Sequence, residues 1–224
     1  FSRVLFRSKH PTNRAMLKAM TAIPLGRRVR VPAPATGTST TTFDCADYAP
    51  PLPAELPQGS VVIDTLPGNH PAVRYLVDRR FDVAELARLW NVRHVSGWSQ
   101  TPAANRIVIP IYRPTRLFDL AGATNPLMLA GWQARFVGEP APSIPKYLFP
   151  SNFQKARVLY GLPEAVRSTG PVYLCEGPTD VWRIGPGAVA PFGKQLSRDQ
   201  LLLLVHHFSG RPVVVLFDDG ASED

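Results

Sequence analysis

The sequence predicts a mixed α/β protein, with an α+β N-terminal subdomain followed by an α/β domain on a parallel sheet. Three observations carry that class. Two helix signatures stand between Asn69 and Trp90, and two long β-type runs follow Asn105. Beyond Gly170, short apolar runs alternate with helical stretches, the pattern of right-handed βαβ crossovers.

Length and charge set the bounds. The 224 residues, 45% of them hydrophobic, suffice for one good-sized core or two small ones and lie outside the range of disordered chains. The formal net charge of +8 suggests a polyanionic partner, and its distribution says more. Up to Arg30 there are Lys and Arg but no acids, and from Val31 to His70 acids but no Lys or Arg. Basic residues dominate from Pro71 to Tyr160, and acids slightly outnumber them thereafter. A basic middle beside an acidic end suits a protein that holds a phosphate backbone and a cation together. Cys45 and Cys175 lie far apart and in no CxxC pattern, so neither a disulfide framework nor a complete zinc site is expected, and a reducing, cytoplasmic setting fits. The longest apolar run, "LLLLVHHF", falls far short of the roughly 20 residues that span a bilayer. With no Met at Phe1 and no signal-type apolar region, the chain is expected to be an internal fragment of a longer protein without membrane contact.

Taken in order, residues 1–30 form a basic segment, and 31–68 read as a Pro/Thr-rich linker, because proline removes backbone donors and favours extended chain. In "NHPAVRYLVDRRF", Pro71 stands where a first helical turn tolerates it. In "DVAELARLW", Asp82 and Glu85 have capping-box spacing, with Val83, Leu86, Leu89 and Trp90 on one face. "RIVIPIY" is β-branched and alternating, and "LMLAGWQARF" is a second strand reached through a loop with Gly122, Asn125 and Pro126. The Pro-bounded "PKYLFPSNFQKARVLYGL" follows. "PVYLC" is then a buried strand, "PTDVWRIG" a short helix, and "GAVAPFG" a strand. "SRDQLLLLVHHF" is a helix with Ser197 and Gln200 at capping-box spacing, and "RPVVVLF" is another buried strand.

In an open parallel sheet, ligands bind outside the carboxyl ends of the strands. Glu176 falls at the end of the first such strand and Asp218 and Asp219 at the end of the third, so distant acids converge on one edge. Hard cations such as Mg²⁺ are commonly held by one or two carboxylates plus substrate phosphates. Asp180, one turn past Glu176, could support the site. The alternative has Glu176 capping the next helix and the terminal acids solvated.

The stretch "VYLCEGPTDVWRIGPGAVAPFGKQLSRDQLLLLVHHFSGRPVVVLFDD" resembles a TOPRIM domain, the metal-binding module of primases, topoisomerases and some nucleases. "RIVIPIYRP", "GWQARF" and "PKYLFPSNFQKARVLYGL" before it resemble, in order, the catalytic core of DnaG-type bacterial and phage primases. The resemblance implies a core N-terminal subdomain over 69–168 and a TOPRIM domain over 169–224, truncated at its C-terminus. It implies metal ligation by Glu176 and Asp218, with Asp219 a possible substitute. Catalytic roles fall to Glu176, Asp180, Asp218 and Lys155, and nucleic-acid or NTP binding to Arg106, Arg135, Lys146, Lys155 and Arg157. Arg forks grip phosphates and Lys supplies compact charge. Tyr147 is expected in the core, with base stacking as the alternative.

The implied activity is metal-dependent synthesis of short RNA primers from NTPs on single-stranded DNA during replication, with Mg²⁺ or Mn²⁺ as cofactor. Implied partners are the template, NTPs and a replicative helicase, in a bacterial nucleoid or phage replication complex. The family usually places a zinc-binding domain upstream, and the basic segment 1–30 is compatible with the end of one, so zinc is expected only there. The sequence departs from the family at Gly220, where the Asp-x-Asp strand motif carries its second acid. That departure keeps open a degenerate primase-like nucleic-acid-binding module and, less favoured, a TOPRIM nuclease.

Overall fold

The computed structural model describes residues 29–32, 40–43, 48–115 and 126–217, the first two ranges as backbone only. It divides the chain into two compact units, Leu52–Arg113 with Met128–Gln154, and Phe1–Pro51 with Pro114–Leu127 and Lys155–Asp224. Among the described residues, no helix is long and apolar enough to cross a membrane.

Three strands fall wholly or partly within the expected linker. β1 (Val29–Pro32) pairs antiparallel with β2 (Thr40–Phe43), a β-branched run. β3 (Ser60–Val62) lies in a proline-free window between Pro57 and Pro67 and leads into Ile63, which is wholly buried and donates its N–H to Val92 O at 2.9 Å. Proline density marks the surroundings of this segment, and the short "SVVI" run between prolines carries enough apolar surface to join a sheet.

α1 (Pro71–Asp78) starts at His70, whose Nδ1 accepts the Ala72 N–H at 3.1 Å. α2 (Val83–Trp90) starts at Asp82, whose Oδ1 accepts the Glu85 N–H at 3.0 Å, and stops at Asn91 in the left-handed conformation. Its apolar stripe buries Leu86, Ala87 and Trp90. β4 (Arg93–Val95), β5 (Arg106–Pro114), β6 (Leu127–Phe136) and β7 (Tyr147–Leu148) complete a five-stranded sheet in the order β3-β4-β5-β6-β7. The β3–β4, β4–β5 and β6–β7 pairs are antiparallel.

β5 corrects the expected alternation. Arg106 through Ile111 are all buried, so both faces of the strand are covered and no polar face is needed. Pro110 is tolerated inside this central strand because β4 pairs only with Arg106–Val108, leaving one side of β5 open beyond them. Gly131 on β6 is needed for space: a Cβ there would sit 2.3 Å from the Phe153 ring, which stacks on Phe149.

In the other unit, α3 (Leu162–Arg167), β8 (Val172–Cys175), α4 (Pro178–Ile184), β9 (Ala188–Val189), α5 (Arg198–Phe208) and β10 (Val213–Leu216) alternate as the sequence predicts. The parallel sheet runs β10-β8-β9, with Val213–Leu216 in register with Val172–Cys175. Leu159, Leu162, Leu174, Leu203, Leu204, Phe208 and Val215 pack in one core. Each such side chain contributes about 1.5–3 kcal/mol on burial. The "LYGL" segment is fixed to the sheet by an antiparallel bridge between Tyr160 and Ala190, and Tyr160 OH accepts from Trp182 Nε1 at 2.7 Å. Gly161 turns the chain from this bridge into α3 at φ +77°, and a Cβ there would meet Ala188 O at 2.5 Å.

Candidate functional site

The carboxyl edge of the parallel sheet is built first by register. Because β8 and β10 are parallel and adjacent, with Leu216 opposite Cys175, both strands release their chains at the same edge. Glu176 stands there, half-buried. Its Oε1 lies 3.5 Å from Lys194 Nζ, and its carbonyl accepts the Gly193 N–H at 2.8 Å, which ties the β9–α5 loop to the acid.

Asp180 sits in the first turn of α4, and its Oδ2 accepts the Gly177 N–H at 3.1 Å. Asp180, not Glu176, therefore caps this helix, which corrects the capping alternative for Glu176. Burial, reinforced by Asp180, pushes the Cys175 thiol up to about 12. Asp218, Asp219, Gly220, Glu223 and Asp224 lie outside the described residues. Among the described residues, no group of three His, Cys, Asp or Glu could hold a metal ion. A hard divalent ion needs only one or two protein carboxylates beside phosphates and water. Glu176, an oxygen donor already facing a cation, fits as one ligand.

Lys155 and Arg157 lie on a 3-10 turn (Lys155–Arg157) held to the start of α5. Gln200, buried, donates Nε2 to Lys155 O at 3.0 Å, Val158 O at 3.0 Å and Pro191 O at 3.2 Å. Its Oε1 accepts the Ser197 N–H at 2.9 Å, and Ser197 Oγ accepts the Gln200 N–H, completing the expected capping box. Arg157 Nε lies 3.3 Å from Asp199 Oδ2, and Lys155 is exposed.

In the antiparallel unit the predicted basic residues separate. Arg106, 3% exposed, stacks its guanidinium over the Phe136 ring at 5.3 Å and donates Nη1 to Lys146 O at 3.4 Å. Arg135, 7% exposed, neighbours Phe136 on the same strand and therefore points to the opposite face. There its guanidinium lies 5.2 Å from the Tyr75 ring and 5.0 Å from the Tyr147 ring, and donates to Tyr147 OH. Tyr147 is 40% exposed, so the expectation of core packing is corrected: β7 is an edge strand, and the ring covers Arg135 rather than filling the interior. Lys146 is exposed. Sequence reasoning missed Tyr75, Phe136 and Lys194. Only Lys194, beside Gly193 in the loop facing Glu176, had a local signal.

No family model and no curated protein matches the sequence. Solved structures do. The chain superimposes on the zinc-binding and RNA polymerase domains of Aquifex aeolicus primase at 26% identity and a TM-score of 0.50, covering 67% of this chain and 43% of that one. The E. coli primase catalytic core gives 22% identity and 0.51, covering 71% and 69%. The RNA polymerase domain of Mycobacterium tuberculosis primase DnaG, in complex with a double-stranded DNA oligomer with a 6-nucleotide overhang, gives 21% and 0.52, covering 70% and 60%. This chain thus spans less than half of the Aquifex chain. Its antiparallel-sheet unit and separate three-stranded parallel sheet have the fold of DnaG-type primase catalytic cores.

Proposed function

We propose that this chain is the polymerase core of a DNA primase, a nucleotidyltransferase that makes short RNA primers from NTPs on a single-stranded DNA template. The observation that carries the reading is Glu176 at the carboxyl edge shared by β8 and β10, on a primase-core fold. Glu176 and Asp218 would hold Mg²⁺ or Mn²⁺, with Asp219 as a substitute. The bound ion would orient nucleotide phosphates and offset charge developing at phosphorus. Asp180 keeps α4 capped beneath the acid. Exposed Lys146 and Lys155, with Arg157, bind template and triphosphate phosphates, while buried Arg106 and Arg135 brace the sheet that presents Lys146. The setting is cytoplasmic, at a nucleoid or phage replication complex, with a replicative helicase as partner.

The test is dinucleotide synthesis from labelled NTPs on single-stranded DNA with Mg²⁺ or Mn²⁺, using the longest natural chain. Glu176→Gln should lower product by at least about 100-fold and leave DNA binding near wild type. If the wild-type chain binds DNA yet makes no product, the enzymatic reading fails. A second reading, a primase-like DNA-binding module with a decayed metal site, then stands. It is favoured by Gly220 in the motif's second acidic position and by Lys194 already neutralising Glu176. Absence of Mn²⁺ binding by electron paramagnetic resonance would support it.

A further inference from the structure

Of the four tryptophans, Trp90 and Trp182 are buried and Trp132 is partly buried, donating Nε1 to Glu55 O at 3.2 Å. Trp98 is 95% exposed, more than any other large hydrophobic side chain among the described residues. A tryptophan exposes a large apolar area when uncovered, which makes such a position informative. Its chain neighbours, Gly97 and Ser99, are small.

The ring is presented by an organised loop. Ser99 N donates to Ser96 O at 3.0 Å, Trp98 N to Ser96 Oγ at 3.3 Å, Ala104 N to Thr101 O at 3.0 Å, and Asn105 N to Val95 O at 3.0 Å. The loop joins β4 to β5, and Val95 pairs with Arg106, so it lies where β5 begins. Val137 N donates to Asn105 O at 3.4 Å and Phe136 N to Lys146 O at 3.0 Å, which brings the end of β6 and the entry to β7 to that end of the sheet. An uncovered aromatic ring and the exposed Lys146 ammonium thus share one end of an antiparallel sheet.

We propose that Trp98 is a stacking platform for an unpaired base of a single DNA strand whose phosphates are held by Lys146. The proposal rests on the primase-like reading of this sheet. Sequence-tolerant single-strand binding combines a base stacked on an aromatic face with cations along the backbone. A duplex offers no free base face. Ser96, Ser99, Gln100 and Thr101 make the loop on either side of the tryptophan polar in sequence, which suits a base with a wet rim better than an apolar protein patch.

Anisotropy titrations of labelled oligo(dT) against the full chain test this. Trp98→Ala should weaken binding about 10-fold with an unchanged salt slope, and Trp98→Phe should lose less. Lys146→Ala should make the salt slope shallower by about 0.7. The wild-type tryptophan emission should be quenched by oligo(dT) and, in large part, only when Trp98 is present. Duplex binding should be the same in Trp98→Ala and wild type. An unchanged melting temperature in Trp98→Ala, expected from its exposure, excludes unfolding. If wild type binds the single strand and Trp98→Ala binds equally well, the inference fails alone. If wild type binds no single strand, both it and the primase reading fail. Weakened binding in Trp98→Ala without primer synthesis by wild type leaves the inference standing and removes only the enzyme.

Discussion

His94 on β4 is 3% exposed, its Nε2 has no hydrogen-bond partner among the described residues, and its ring lies 4.6 Å from that of His70. Burial, then the nearby His70, pushes its pKa down from 6.5 to about 4. Between those values the unfolded chain binds a proton that the native one excludes. Stability is therefore complete above pH 6.5 and is lost as pH falls towards 4, by about 3 kcal/mol over the window. Urea midpoints at pH 7.5 and 4.5 should lie further apart for wild type than for His94→Gln; equal separations would sink the argument. The same scale shows what the sequence hid. Arg106 and Arg135 read as phosphate-binding cations, yet each is buried against aromatic rings, and Tyr75 reaches Arg135 only through the fold. Lys146 and Lys155, read in the same way, are exposed.

Elements were legible where a local rule governs them. The Ser197–Gln200 capping box and the Asp82 cap are chain-local, so spacing alone announces them. The alternation expected for β5 failed because burial on both faces depends on what packs above and below, which no local period encodes. β3 was masked by surrounding prolines. Gly161 carries the prediction at this scale: Gly161→Ala imposes a Cβ at φ +77° and against Ala188 O. It should cost about 2–4 kcal/mol, read as a lower denaturation midpoint, with partial loss of the Tyr160–Ala190 bridge in hydrogen exchange. A midpoint within error of wild type would contradict the steric account.

For the molecule as a whole, fold class followed from the order of periodicities, strands after helices and then strict alternation, because that order decides which sheet type can form. The acidic edge was legible only in half. Glu176 falls where the pattern puts it, whereas the acids after Phe217 lie outside the described residues. Net charge of +8 with exposed Lys146 and Lys155 and half-buried Arg157 predicts salt-sensitive binding of single strands. If those three neutralise one phosphate each, log K against log salt should have a slope of about −2. A slope near zero in a titration from low to physiological salt would remove the electrostatic account.

The outer strands of the antiparallel sheet have three residues (β3) and two (β7), each flanked closely by prolines, with Lys146 at the entry to β7. Outer strands this short offer another chain almost no ladder of their own to extend. Protection against strand-to-strand aggregation is thus built into the same short strand that presents the lysine.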